Sequence, residues 1–300
     1  MSTDLTRPRR PTAAQWAAGA RPRTLPAAVS PVLAGSGVAA WAGGFSLVEA
    51  LLALLVSLAL QVGVNYANDY SDGVRGTDAV RVGPLRLVGS GLAEPRSVKR
   101  AAFASFGVAA VAGLVLVVLT GLWWLIIVGA ACVLAAWYYT GGQHPYGYRG
   151  LGEVFVFVFF GLVAVSGTVL VQVGSVPWTT WPVAVGIGAL ACSILVANNL
   201  RDLRGDLAVG KHTLATRLGD RGTRWFYVAL VGLAAVAVVV VAAGTTWWAL
   251  LGLVGIALLV PAVRRVLGGA QGPALIAVLK SSGTAELAYA LGLVVGLLLA

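Results

Sequence analysis

Nine long apolar runs, with every cation confined to alternate connections between them, leave this chain few ways to fold. The runs cover about 24–43, 47–68, 101–119, 122–140, 154–173, 181–199, 225–243, 246–263 and 284–300. A helix needs roughly 20 apolar residues to cross the hydrocarbon layer, and most of the runs are close to that length. Backbone polar groups cannot stay unpaired in lipid, so continuous runs of this kind are read as helices. The expected fold is an all-α, polytopic membrane bundle of about nine transmembrane helices. Composition agrees: the chain is 59% hydrophobic and 11% charged, where a soluble domain carries about 25% charged residues.

The placement of charge sets the orientation. All 21 Lys and Arg residues lie before the first run or in every second connection. The intervening connections, such as WAGGFS and QVGSVPWTT, have none. The positive-inside rule then puts the N-terminus and the long loops 69–100 and 200–224 in the cytoplasm and the C-terminus outside. The formal charge of +10 follows from this topology and calls for no nucleic-acid partner. Membrane lipid headgroups and an anionic substrate are the partners it favours. Residues 1–20 are expected to be a flexible cytoplasmic tail without a cleavable signal, ahead of a single transmembrane domain over 21–300. Cys132 and Cys192 fall inside runs and read as small buried side chains.

Five of the eleven acidic residues gather in two stretches, NYANDYSDGVRGTD (65–78) and NNLRDLRGD (198–206). Each closes a run that heads for the cytoplasm. Asn68 and Asp72 are four residues apart and share a helix face, as do Asn198, Asp202 and Asp206. The repeated Asn-x3-Asp pattern reads as a parallel duplication in which each half supplies one acidic corner. Solvated helix ends would explain one such cluster. Two in so acid-poor a chain call for a cation between them, because clustered like charge is otherwise costly. The donors are all oxygen: Asn68, Asp69, Asp72 and Asp78 in the first stretch, Asn198, Asp202 and Asp206 in the second. This set favours Mg2+, which is commonly held by carboxylates together with substrate phosphates. Arg75, Arg201, Lys211 and, at the mouth of the first run, Arg23 are placed to hold a diphosphate.

A diphosphate clamp above an apolar bundle points to a prenyl diphosphate. Departure of metal-bound diphosphate leaves an allylic cation, which aromatic faces stabilise and from which a membrane bundle excludes water. Asp72, Asp202, Asp206 and Lys211 are the candidate catalytic residues. A divalent-cation transporter is the alternative from another class, but the acids sit at one face and form no ladder across the membrane.

NDYSD, NNLRDLRGD and GKHTLATRLG, in a chain of this hydropathy, resemble the UbiA-type intramembrane prenyltransferases, from about residue 20 to the last runs. The family pattern is Asn-Asp-x-x-Asp-x-x-x-Asp followed later by Asp-x-x-x-Asp. Here the second motif is intact, whereas the last acid of the first is replaced by Gly76, with Asp78 two residues on. That arrangement, with RPRTLP, VGPLRLVGSGL and YTGGQHPYGYRGLGE, is similar to the branch that prenylates 1,4-dihydroxy-2-naphthoate. The resemblance implies two Mg2+ ions, a polyprenyl diphosphate donor and transfer with loss of CO2 to give demethylmenaquinol. Other aromatic acceptors, such as 4-hydroxybenzoate or homogentisate, are the alternative within the family. Asn65, Tyr139, His144, Tyr148 and Arg149 are the candidates for holding the acceptor, and the Gly-rich stretch 83–91 is expected to cap the site.

Overall fold

The computed structural model describes residues 11–76 and 85–300. Among the described residues the chain is helical, without a strand. Helix α1 (Ala13–Gly19) leads through a 3-10 turn (Pro22–Thr24) into α2 (Pro26–Trp41), α3 (Leu47–Arg75), α4 (Pro95–Thr120) and α5 (Leu125–Tyr138). A 3-10 turn (Tyr146–Arg149) precedes a composite span of α6 (Gly152–Val156), a π-helical segment (Phe157–Val163) and α7 (Ala164–Val173). Then follow α8 (Thr180–Ala208), α9 (Leu214–Gly244), α10 (Leu253–Leu267) and α11 (Leu275–Leu298).

Helical bodies occupy all nine expected places, but not all are full crossings. Seven are long and apolar enough to span, and an eighth is gained if the 50° bent pair Ala13–Thr24 and Pro26–Trp41 counts as one. Helix α5 has 14 residues, about 21 Å of helix against a hydrocarbon core of about 30 Å. The expected count of nine full spans is not reached by helix length alone, because the apolar run at 122–140 is divided between a two-tryptophan turn and a short helix. The chain is a multi-pass membrane protein. Exposed Trp41, Trp123, Trp124, Trp178, Trp247 and Trp248 lie at the connections that the cations avoid. This is the placement of an interfacial aromatic belt.

Two packed bodies result. The larger core joins α2, α7, α8, α9, α10 and α11, with Ile187, Leu190, Tyr227, Leu259 and Tyr289 fully buried. The smaller joins α3, α4 and the loop after α3 through Tyr66, Leu87, Val98 and Phe106. Helix α8 is central, with 72% of its most apolar window buried against 22% for α3. Both α3 and α8 are 29 residues long, and both end in an acidic stretch. Part of the expected tail is ordered: Thr12 and Gln15 form a capping box at the start of α1. Trp16 meets Tyr66 edge-on at 5.7 Å, and the Tyr66 hydroxyl donates to its carbonyl at 2.9 Å.

Small residues let α8 approach its neighbours. A methyl group added at Gly161 in the π-helical segment would lie 2.6 Å from Gly188 Cα and 2.7 Å from the Ala184 carbonyl. Two helical backbones are in contact there, which is the role small residues play in membrane bundles. Gly161→Ala is therefore expected to push α8 aside and cost about 1–3 kcal/mol. Thermal unfolding of the detergent-solubilised protein should show a lowered midpoint, and an unchanged one would refute the close contact.

Candidate active site

The end of α3 adjoins an apolar cavity and is linked to the end of α8 through the segment after α5. Asn68, Asp69 and Asp72 are buried on α3, and Asn199, Arg201 and Asp206 on α8. The 3-10 turn at Tyr146–Arg149 lies between them. Its Tyr148 hydroxyl donates to Asp72 Oδ1 at 2.6 Å. Lys211 Nζ stands 4.7 Å from the centre of the same ring and 3.6 Å from Asp206 Oδ1. Asp72 and Asp206, 134 positions apart in the chain, are thus linked through one phenol and one ammonium. Arg86 adds a guanidinium 3.7 Å from Asp72 Oδ2. Arg75 stacks 5.5 Å from the Tyr148 ring while donating to the Thr140 and Gly142 carbonyls.

The remaining expected residues divide. Asn68 accepts from the Thr140 hydroxyl at 2.7 Å. Asp69 is engaged by the loop after α3: its two oxygens accept the backbone N–H of Leu87 at 2.7 Å and of Val88 at 3.1 Å. It thus clasps that loop. Arg201 chelates its neighbour Asp202 with two 2.7 Å hydrogen bonds, so a cation expected to face diphosphate is engaged with an acid expected to face metal. Asn198 is half-buried on α8. Arg23 is exposed on its 3-10 turn, while Arg21 lies near enough to Asp69 to act on it electrostatically. Asp78 lies outside the described residues.

Among the acceptor candidates, Asn65 donates to the Ala20 carbonyl and the Thr24 hydroxyl, both at 2.9 Å, and ties the N-terminal segment to α3. Tyr139 lines the cavity and meets Tyr146 edge-on at 5.5 Å. His144 and Arg149 are exposed. Arg149 contributes its carbonyl to Arg217 at 2.8 Å. Arg86 and Thr140 were not singled out in the sequence as site residues. Arg86 stands in the loop expected to cap the site, and Thr140 lies in the stretch YTGGQHPYGYRGLGE beside the candidate Tyr139.

Below the acids lies a cavity of about 850 Å³, walled by α2, α3, α4, α5 and the composite span. Asn65 and Asn68 mark its polar end, while Val117, Ile126 and Val163 are typical of the rest. An aromatic row forms one wall: Tyr146 stacks on Phe155 at 3.9 Å, and Phe155 on Phe159 at 5.9 Å. Such faces suit a developing carbocation.

The acids near the bridge offer hard oxygen ligands. Among the described residues, no three His, Cys, Asp or Glu side chains converge as a ready-made cage. Mg2+ is usually held by one or two carboxylates plus substrate phosphates. The oxygen donors present therefore suit a metal that arrives with a diphosphate.

The Asp69 clasp has a measurable consequence. In Asp69→Asn one of the two acceptor oxygens becomes an amide that cannot receive an N–H. Hydrogen exchange at Leu87 and Val88 should then rise by about tenfold for each 1.4 kcal/mol lost. Unchanged protection would leave Asp69 free for a ligand role.

A family model described as "UbiA prenyltransferase family" matches residues 28–283. A Mycobacterium leprae protein named 1,4-dihydroxy-2-naphthoate octaprenyltransferase is 54% identical over 287 residues, covering 96% of this chain and 97% of its own. A Mycobacterium tuberculosis protein of the same name is 55% identical over 278 residues, covering 93% and 94%. Among solved structures, a UbiA homolog from Archaeoglobus fulgidus bound to GPP and Mg2+ aligns with a TM-score of 0.62 at 14% identity, over 94% of this chain and 99% of that one.

Proposed function

The chain belongs to the UbiA prenyltransferase family, and from that premise we propose that it transfers a polyprenyl group from its diphosphate to 1,4-dihydroxy-2-naphthoate. The observation that carries the reading is the bridge from Asp72 through Tyr148 and Lys211 to Asp206, set over an apolar cavity. The two mycobacterial relatives carry the acceptor in their name. The Archaeoglobus homolog was solved with a prenyl diphosphate and Mg2+.

Each part of the site has a task in this reaction. The cavity takes the first isoprene units of the donor and excludes water from them. Asp72, Asp202 and Asp206, with Asn68 and Asn198 beside them, would hold Mg2+. The metal, as one ion or two, supplies charge that makes diphosphate a better leaving group. Lys211, Arg75 and Arg86 neutralise the phosphate oxygens on which the electron pair of the breaking C–O bond comes to rest. Arg201 joins them if diphosphate draws it from Asp202. Tyr139, Phe155 and Phe159 face the allylic cation left behind. The ring carbon of the acceptor that bears the carboxylate attacks this cation. Its C–CO2 bond then breaks, the electron pair restores the aromatic ring, and the products are demethylmenaquinol, CO2 and diphosphate. The acidic end of the bundle is placed at the cytoplasmic face, where the basic loops attract both anionic substrates.

The test is transfer by purified protein from a labelled polyprenyl diphosphate to a panel of acceptors. Dihydroxynaphthoate should be preferred, chelation of divalent metal should abolish transfer, and Asp72→Ala or Asp206→Ala should lower kcat/KM by about 100-fold or more. Preference for 4-hydroxybenzoate or homogentisate would replace the acceptor, and full activity of either variant would remove the clamp. For orientation, a thiol introduced at exposed Arg204 should be labelled from the cytoplasmic side of sealed vesicles and not from the outside.

A further inference from the structure

Glu153 is buried at 4% exposure in the first turn of α6, and none of the tasks above uses it. Its Oε1 accepts the side-chain amide of Asn199 at 2.9 Å, while its Oε2 is buried with no hydrogen-bond partner. A carboxyl held by a single neutral bond in a packed bundle is an expensive way to fill space, since an apolar side chain would leave nothing unpaired. Its position gives it another use.

The segment 146–153 runs from one acidic corner to the other. At its start, Tyr148 reaches α3 through Asp72. Its middle is held from the α8–α9 side: the Tyr148 carbonyl accepts His212 N–H at 3.1 Å and the Arg149 carbonyl accepts Arg217 at 2.8 Å. At its end, Glu153 grips α8 twice, through its carboxyl to Asn199 and through its carbonyl, which accepts from Cys192 Sγ at 3.1 Å. The turn is tightly built, because a methyl group at Gly147 would meet the Tyr139 carbonyl at 2.6 Å and Gly150 has a φ of +76°. Asn199 precedes Asp202 and Asp206 by three and seven residues, about one and two turns along the same helix face.

We propose that Glu153 is a positioning residue that fixes the spacing between Asp72 and the α8 acids, through its hydrogen bond to Asn199 and the Tyr148 segment. The inference rests on the reading of the site as a metal–diphosphate clamp. Glu153 touches neither donor nor acceptor in this role. What it offers is a hydrogen-bond acceptor at a defined place, so a glutamine should replace it and an alanine should not.

The experiment is a Mg2+ titration of geranyl diphosphate binding to the full chain in detergent, without acceptor, followed by kinetics with dihydroxynaphthoate. Glu153→Ala and Asn199→Ala should each raise the Mg2+ concentration for half-maximal binding by about tenfold, the equivalent of one lost hydrogen bond. The double variant should be no worse than either single one, because both remove the same bond. Glu153→Gln should stay within about threefold of wild type. With acceptor, kcat should fall in Glu153→Ala while KM for the acceptor holds. Additive losses in the double variant, or a glutamine as damaging as alanine, would overturn the proposal. If Glu153→Ala fails to give a monodisperse protein, Asn199→Ala and Glu153→Gln still decide it, by whether the first shifts the titration and the second does not. A wild-type chain that binds no geranyl diphosphate with Mg2+ would sink the clamp reading and this inference together, whereas normal wild-type binding with unshifted variants sinks this inference alone.

Discussion

Asp72 and Asp206 are held on either side of one phenol and one ammonium, and much of the fold serves to keep them there. Neither carboxylate would be tolerated at a buried helix end without compensation. The hydroxyl of Tyr148 and the cations Arg86 and Lys211 supply it. The acids stand near the C-terminal ends of two 29-residue helices. The same arrangement that makes the carboxylates tolerable makes the place between them suitable for an anion carrying metal.

The cavity follows from the division into two packed bodies. The larger core around α8 is dense with small residues, and close contacts such as Gly161 against Gly188 give it little room to yield. The smaller body of α3 and α4 meets it across the apolar cavity. The short helix α5 closes one side of that cavity and has no buried residue of its own. Its C-terminal end is instead fastened by polar and aromatic contacts. Thr140 bonds Asn68, and Trp137 lies beside Tyr70, Phe103 and the ammonium of Lys99, which stands 5.7 Å from its ring. Cation–π and stacking contacts do here what burial does elsewhere.

Several residues show why a spacing argument reaches only part of a site. Asp69 and Asp72 belong to one motif and differ by three positions, yet Asp69 accepts from the Leu87 and Val88 backbone while Asp72 accepts from Tyr148. The periodicity separates their directions by about 60°, and only the packed loop decides which direction holds the site. Arg201 and Asp202 are adjacent, so a helical wheel places them on different faces, but long side chains curl into a chelated pair. Tyr148 stood among five candidates with no signal to rank it above His144 or Arg149. Its distinction is geometric, since the other two are exposed. Glu153 closes the stretch YTGGQHPYGYRGLGE, but its bond to Asn199, 46 residues away, is visible only in the structure.

By itself the sequence determined the environment and the chemistry on offer. Runs of apolar residues can satisfy their backbone in lipid only as helices, cations keep to one side, and two acid-amide clusters in an acid-poor chain require a positive partner. Those inferences need only local composition and periodicity. The tertiary structure decided which members of each cluster face each other, how long each helix is beyond its apolar run, and where α5 falls short of a crossing. It also decided which aromatics line the cavity and which loop residue joins the corners. These depend on contacts between segments far apart in the chain, where side-chain direction and close packing of small residues, not spacing, set the distances.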